Sequence, residues 1–214
     1  MKHTAVAIPA RMADMPRDTR GLPIPFIVLR DTDNRPHFTI NDQYKVDCAI
    51  RFGLCAICGS ALGVNKWFVG GPASAFHPHG AYLDSPIHRE CGHYALKVCP
   101  YLAISGAFKK RVDGKTLKKE KTPGHIVVLV DQTMYPDQPV VFVFSRTRAY
   151  TRLSNGYLQP QRPWLEVEYW KNGEKIADAL AWQLIEDDPK LPVSIDSLKI
   201  GAGLLVTAAN DATG

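Results

Sequence analysis

Apolar positions change their spacing along this chain, and each change marks an element. Residues 1–20 show no period and read as a flexible N-terminal arm. Pro23-Ile24-Pro25-Phe26-Ile27-Val28-Leu29-Arg30 reads as a strand that opens at a proline. His37-Phe38-Thr39-Ile40 reads as a second strand beyond the turn-like Asp31-Thr32-Asp33-Asn34. Asn41 is placed to cap a helix that carries Tyr44, Ala49 and Ile50 and stops at Gly53. Lys66-Trp67-Phe68-Val69 predicts a strand, and 70–84 a loop rich in Gly and Pro. Ser85-Pro86 predicts a helix start, with the end before Pro100. The polar stretch 109–124 then separates two regimes. Beyond it, Ile126-Val127-Val128-Leu129-Val130 and Val140-Val141-Phe142-Val143-Phe144 are continuous apolar runs, expected to be buried strands. Leu165-Glu166-Val167-Glu168-Tyr169-Trp170 alternates and predicts a half-exposed strand. Asn172-Gly173 is a tight-turn signal, 175–187 a helix, and the apolar segment 194–209 a final helix.

This order gives an α+β class: a region over 21–108, a basic loop over 109–124, and a β-rich region with C-terminal helices over 125–214. Composition adds bounds. A 214-residue chain with 45% hydrophobic and 22% charged residues holds enough apolar surface for a core. No run reaches the roughly 18 apolar residues that span a bilayer. The start carries Lys2, Arg11, Asp14, Arg17, Asp18 and Arg20 and lacks an apolar stretch, so it does not read as a secretory signal. A cytoplasmic location is expected. Five cysteines is an odd count that a complete disulfide framework cannot use. The formal charge of +5 permits a polyanionic partner without requiring one.

The cysteines carry the candidate chemistry. Cys55-Ala56-Ile57-Cys58 is followed thirty residues later by His88-Arg89-Glu90-Cys91. Structural zinc takes four ligands in a tetrahedron, mainly thiolate sulfur and imidazole nitrogen. A two-residue gap lets a tight turn aim two sulfurs at one point, and Gly59 suits the backbone of that turn. His88 and Cys91 are three apart on a predicted helix and share a face near its positive end. His93 falls on another side of that helix. Cys99 is about 12 Å further along the axis at 1.5 Å per residue, whereas sulfurs on one zinc lie about 4 Å apart. Cys48 reads as a small hydrophobe. Cys55, Cys58, His88 and Cys91 are therefore the expected ligands of one structural Zn²⁺. Lys66, Arg89 or Lys97 is expected to offset the net charge near −1 of a Cys₃His site, and knuckle N–H groups to bond its sulfurs.

This arrangement resembles the treble-clef zinc finger: a CxxCG knuckle, a hairpin, then two ligands from the start of a helix. The resemblance covers about residues 54–99. The set Cys55-x-x-Cys58-Gly59, Gly71-Pro72, Pro86-x-His88-x-x-Cys91 and Cys99-Pro100 also looks similar to a family of bacterial and phage proteins to which no activity is attached. Treble clefs host nucleic-acid binders, protein-binding modules and nucleases, so the resemblance alone does not select among them.

The remaining candidates divide the functional readings. Lys109, Lys110, Arg111, Lys118 and Lys119 lie in a tract of seven cations and two acids over 109–121. They are expected phosphate contacts for DNA or RNA, against the plainer reading of a solvated linker. Arg146, Arg148 and Arg152 flank Tyr150, and Arg162 precedes Trp164, as cations beside rings that stack bases. His77-Pro78-His79 sits in the loop leading to the zinc helix, and HNH-type nucleases build their site on a zinc-bound clef with a histidine general base and a divalent ion. There is no Asp-His pair and no downstream Asn-x-x-x-His to complete such a site. No glycine-rich phosphate loop or Gly-x-Ser-x-Gly elbow is present, and Gly201-Ala202-Gly203 lacks the third glycine and the preceding strand of a dinucleotide site. The leading expectation is a zinc-binding, non-enzymatic accessory protein associated with nucleic acid. The alternative is a protein-binding module or host-factor inhibitor, and a nuclease ranks third.

Overall fold

The chain is described by a computed structural model over residues 6–106, 127–129 and 138–204. In chain order its elements are β1 (Val28–Arg30), β2 (Pro36–Asp42), α1 (Gln43–Phe52), β3 (Lys66–Gly70), α2 (Pro72–Phe76), α3 (Arg89–Val98) and α4 (Pro100–Ala103). There follow β4 (Val127–Leu129), β5 (Phe142–Thr147), β6 (Tyr150–Arg152), β7 (Leu158–Pro160), β8 (Glu166–Lys171), β9 (Glu174–Ile176), α5 (Asp178–Glu186) and α6 (Ile195–Gly201). The class is α+β, as expected, and every strand pairing is antiparallel. One sheet runs β1-β2-β4, a second β3-β5-β8-β9, and β6-β7 forms a separate hairpin. Strands from either side of the basic tract pair directly, β2 with β4 and β3 with β5.

Strand β5 explains the layering. Side chains alternate across a strand with period two. Phe142 and Phe144 join Trp67, Cys91, Leu96 and Trp170 in one buried cluster, beneath α1 and α3. Val141 and Val143 join Phe76, Tyr169, Ala181, Ile185 and Leu198 in another, beneath α2, α5 and α6. A strand covered on both faces reads as a continuous apolar run, which is how Val140–Phe144 looks in the sequence. The same geometry corrects the expectation for β8. It is a central strand between β5 and β9, and Glu168, Tyr169 and Trp170 are all buried.

Other boundaries moved for local reasons. Helix α1 is capped by Asp42 rather than Asn41, because the Asp42 carboxylate accepts from the N–H groups of Tyr44 and Lys45. It ends at Gly53, which is left-handed at φ 63° as expected of a C-terminal glycine. The segment 70–84 contains α2, opened by Pro72 in its first turn. Helix α3 begins at Arg89, not Ser85-Pro86, because Ile87 exchanges both backbone hydrogen bonds with Trp67 (3.1 and 2.9 Å) and stays extended. Asn172 (φ 52°) and Gly173 (φ 78°) make the β8–β9 turn. The helix expected over 175–187 starts only at Asp178, since Glu174–Ile176 pairs as β9.

The N-terminal arm is corrected too, within its described residues. A 3₁₀ turn at Ala10–Met12 drives Met12 into the core at 1% exposure, and Ile8 and Met15 pack against the same cluster. Three aliphatic residues without a repeat suffice to dock it, and periodicity does not register them. The basic tract with Lys109, Lys110, Arg111, Lys118 and Lys119, and residues 205–209 of the last expected helix, lie outside the described residues.

Helix α6 closes on α2 at a glycine. A Cβ on Gly201 would stand 1.6 Å from the Phe76 carbonyl oxygen, a backbone atom that cannot swing aside. Gly201→Ala is expected to destabilise the protein by about 1–3 kcal/mol. Urea unfolding measures this, and an unchanged midpoint would mean that α6 does not sit against Phe76.

Candidate metal centre

The knuckle is built by backbone bonds between its own ends. Cys55 N–H donates to Ser60 O (2.8 Å), Gly59 N–H to Cys55 O (2.9 Å) and Leu62 N–H to Gly53 O (2.7 Å). Gly59 takes φ 72°, the left-handed conformation that its type permits. The knuckle is then fixed from outside, by Phe26 N–H to Ile57 O (2.8 Å) and Ala56 N–H to Pro86 O (3.1 Å). That last bond carries the segment before α3 onto the knuckle and brings the second pair of ligands with it. His88 is the N-cap of α3 and Cys91 lies in its first turn, where the helix dipole favours negative charge.

The Sγ atoms of Cys55, Cys58 and Cys91 and a ring nitrogen of His88 all lie within 4.8 Å of one another. His88 Nδ1 is 3.3 Å from Cys58 Sγ and 4.0 Å from Cys91 Sγ. Zn–S bonds near 2.3 Å and Zn–N bonds near 2.0–2.1 Å need tetrahedral edges of about 3.5–3.8 Å, so the cluster matches that scale. Cys55 and Cys91 are fully buried, while Cys58 and His88 are half-buried. The other ring nitrogen, His88 Nε2, lies 3.1 Å from the Ala61 carbonyl oxygen. A proton on Nε2 donated to that carbonyl leaves the Nδ1 lone pair facing the sulfurs, which is the tautomer a ligand needs.

Three thiols this close cannot all ionise unaided. Cys58 is held well below the ordinary thiol range by hydrogen bonds from the Cys55 and Cys91 thiols, with help from the N–H and hydroxyl of Ser60. Cys55 and Cys91 are pushed up by those same shared hydrogen bonds and by burial. A divalent cation removes this competition, since coordinated thiols lose their protons. The expected N–H donors are present: the backbone N–H groups of Cys58 and His88 face Cys55 Sγ, the latter at 3.4 Å.

The compensating cation is Arg11, from the segment read as an arm. It is held by the bond it donates to Glu90, its charge acts on Cys58 and Cys91, and its Nη1 stands 3.3 Å from His88 Nε2 as one donor beside another in the ligand tautomer. Lys66 instead donates to Gly63, Val64 and Arg148 carbonyls, and Arg89 pairs with Glu166 and Glu168. No local signal marks Arg11, because its contacts span 77 and 79 residues.

The other candidates are placed elsewhere. His93 donates to Glu168 Oε2 at 2.7 Å, on a different side of α3 from Cys91. Cys48 and Cys99 are outside the cluster, and His77 and His79 join no such cluster among the described residues. Trp164 is tied by Nε1–H to Ala75 O at 2.8 Å. Arg146 pairs with Glu166 and Arg152 with Asp47. Among the described residues, no helix is long and apolar enough to cross a membrane. No family model, curated protein or solved structure matches the chain.

Proposed function

We propose that this is a zinc-stapled binding protein, in which Cys55, Cys58, His88 and Cys91 hold one structural Zn²⁺ and the protein acts through association rather than catalysis. The observation that carries it is the convergence of four soft donors within 4.8 Å. Softness and number favour redox-silent zinc over a hard cation. Four protein ligands leave no position for an activated water. A treble-clef-like module fits this reading, with the knuckle at Cys55–Gly59 and the second ligand pair at the start of α3. One departure is that β3, between the two pairs, ladders with β5, and its backbone bridge to its own half among the described residues is Trp67–Ile87.

Nucleic acid is the proposed partner, and the tract containing Lys109, Lys110, Arg111, Lys118 and Lys119 is its motive. The test has two parts. Elemental analysis of the purified chain should return one zinc per molecule, and none would remove the staple. Retention on DNA or RNA should fall steeply with salt, by about tenfold or more between 50 and 200 mM for several phosphate contacts. Weak retention that ignores salt, with one stoichiometric protein recovered after nuclease treatment, would replace nucleic acid by a protein partner.

A further inference from the structure

A cleft of about 430 Å³ opens between the β6–β7 hairpin and the loop after α2, lined by Pro78, Tyr150, Thr151, Gln159, Gln161 and Arg162 among others. Its walls are fixed. Tyr82 and Leu158 exchange both backbone hydrogen bonds at 2.8 Å, which ties the loop to the hairpin. Thr147 Oγ1 donates to Gln161 O at 2.8 Å.

The cation of this cleft lacks a counter-ion. Arg162 donates from Nη1 to the His77 carbonyl and from Nη2 to the Ser74 carbonyl at 3.1 Å, and both partners are neutral. Its Nε is buried without a hydrogen-bond partner. Among the described residues no carboxylate pairs with it, and the ionisable group that acts on it is the Tyr82 phenol. Burial pushes that phenol far up, so it is neutral at physiological pH. A guanidinium does not escape by losing its proton. Gly80 packs beside it with no room for a side chain: a Cβ there would stand 2.8 Å from Arg162 Nη2 and 2.3 Å from Ser74 O. The two carbonyls and the Trp164 ring, whose centroid is 5.9 Å from the guanidinium carbon, hold this charge without neutralising it, so an anion that enters the cleft gains a charge-assisted contact.

The rest of the lining suits a flat polar body. Tyr150 is braced edge-on against Phe68, with centroids 5.8 Å apart. Gln159 and Gln161 supply amides that both donate and accept. The volume lies in the range of small-ligand sites.

We propose that this cleft binds the phosphate of a nucleotide-sized ligand, with Arg162 as the anion contact and Tyr150, Gln159 and Gln161 as the surface for its flat remainder. The phosphate comes from a free nucleotide or from one unit of a single strand. The site depends on neither the metal centre nor the tract at 109–121.

The full chain, ¹⁵N-labelled, is titrated with AMP, inorganic phosphate and a short oligothymidylate while the side-chain amides of Gln159 and Gln161 are followed. AMP at millimolar concentration should shift both. Arg162→Gln should weaken it about tenfold or more, the loss of a charge-assisted hydrogen bond. Because Arg162 also clasps two carbonyls, Gln161→Glu on the exposed rim is the control for folding, and it should weaken AMP through like charge with circular dichroism unchanged. Tighter binding of the oligonucleotide than of AMP identifies the strand as source, and the reverse identifies the free nucleotide. Replacing the five tract cations by Gln should leave AMP binding intact, which separates this site from the tract. The proposal is overturned if none of the three probes moves those amides, or if Arg162→Gln and Gln161→Glu both bind AMP like the unaltered chain.

Discussion

Chelation of the zinc proposed at Cys55, Cys58, His88 and Cys91 is expected to abolish cooperative folding of the region around α1, β3 and α3. Structural zinc contributes about 10–16 kcal/mol in apparent terms at neutral pH, whereas whole domains are stable by only about 5–15 kcal/mol. The position of the ligands makes the loss non-local. Cys55 and Cys91 are fully buried within the cluster that holds Met12, Trp67, Phe144 and Trp170. Three released thiols would have to share that space protonated, without the cation that binds knuckle to helix. Cys91→Ser should match chelation in severity. Cys48→Ser and Cys99→Ser, outside the cluster, should stay within about 1 kcal/mol of the unaltered chain. Far-ultraviolet circular dichroism and thermal melts with and without chelator measure this. A melting curve unchanged after the metal is verifiably gone would sink the staple.

Glu168→Gln is expected to have the second-largest effect. The Glu168 side chain is 1% exposed, in the middle of β8. Burial alone would raise its pKa. Hydrogen bonds from Arg89 and His93, the positive field of His93 and the indole N–H of Trp170 overcome this and hold it at about 2, below its ordinary 4.5. Arg89 Nη2 and His93 Nε2 both stand 2.7 Å from its oxygens, and Lys175 Nζ stands 3.5 Å away. The sign follows from the depressed value. The carboxylate's contribution is complete above about pH 4.5 and is lost as pH falls towards 2, and by linkage it is about 3 kcal/mol. Glu168→Gln should therefore lose about that much at pH 7 and show a flatter acid limb between pH 4.5 and 2. Acid also strips thiolate-bound metal, so the informative quantity is the difference between the two proteins at each pH. Parallel curves for the two would show that Glu168 gains nothing from its partners.

What was legible in the chain is what depends on short range. The CxxC and HxxC spacings, the glycine that ends α1, the proline beyond the end of α3, and the apolar run of β5 are local patterns with one physical reading each. Elements failed where a distant partner decided them. Ile87 stays extended because Trp67 bonds it from twenty residues away. Glu168 looks like the polar half of an alternating strand until α3 supplies Arg89 and His93. Arg11 is invisible as a partner of the metal cluster because the turn that delivers it has no period, and Ile8, Met12 and Met15 anchor it without one. Arg162 falls between these cases. Its neighbour Trp164 is visible as an aromatic and does carry the guanidinium over its ring, yet the absence of a counter-ion is evident only once the loop after α2 has closed over it.

The division of the second sheet between distant stretches of chain has a bearing on biosynthesis. All four prospective zinc ligands leave the ribosome before β5 is made, yet β3, which lies between them, has β5 as its ladder partner. During that interval Trp67 and Phe68 lack the strand that will shelter them, a period in which nascent chains are prone to misassociate. An ion captured early would hold the knuckle and helix in place as a platform, ready to receive the second half as it emerges.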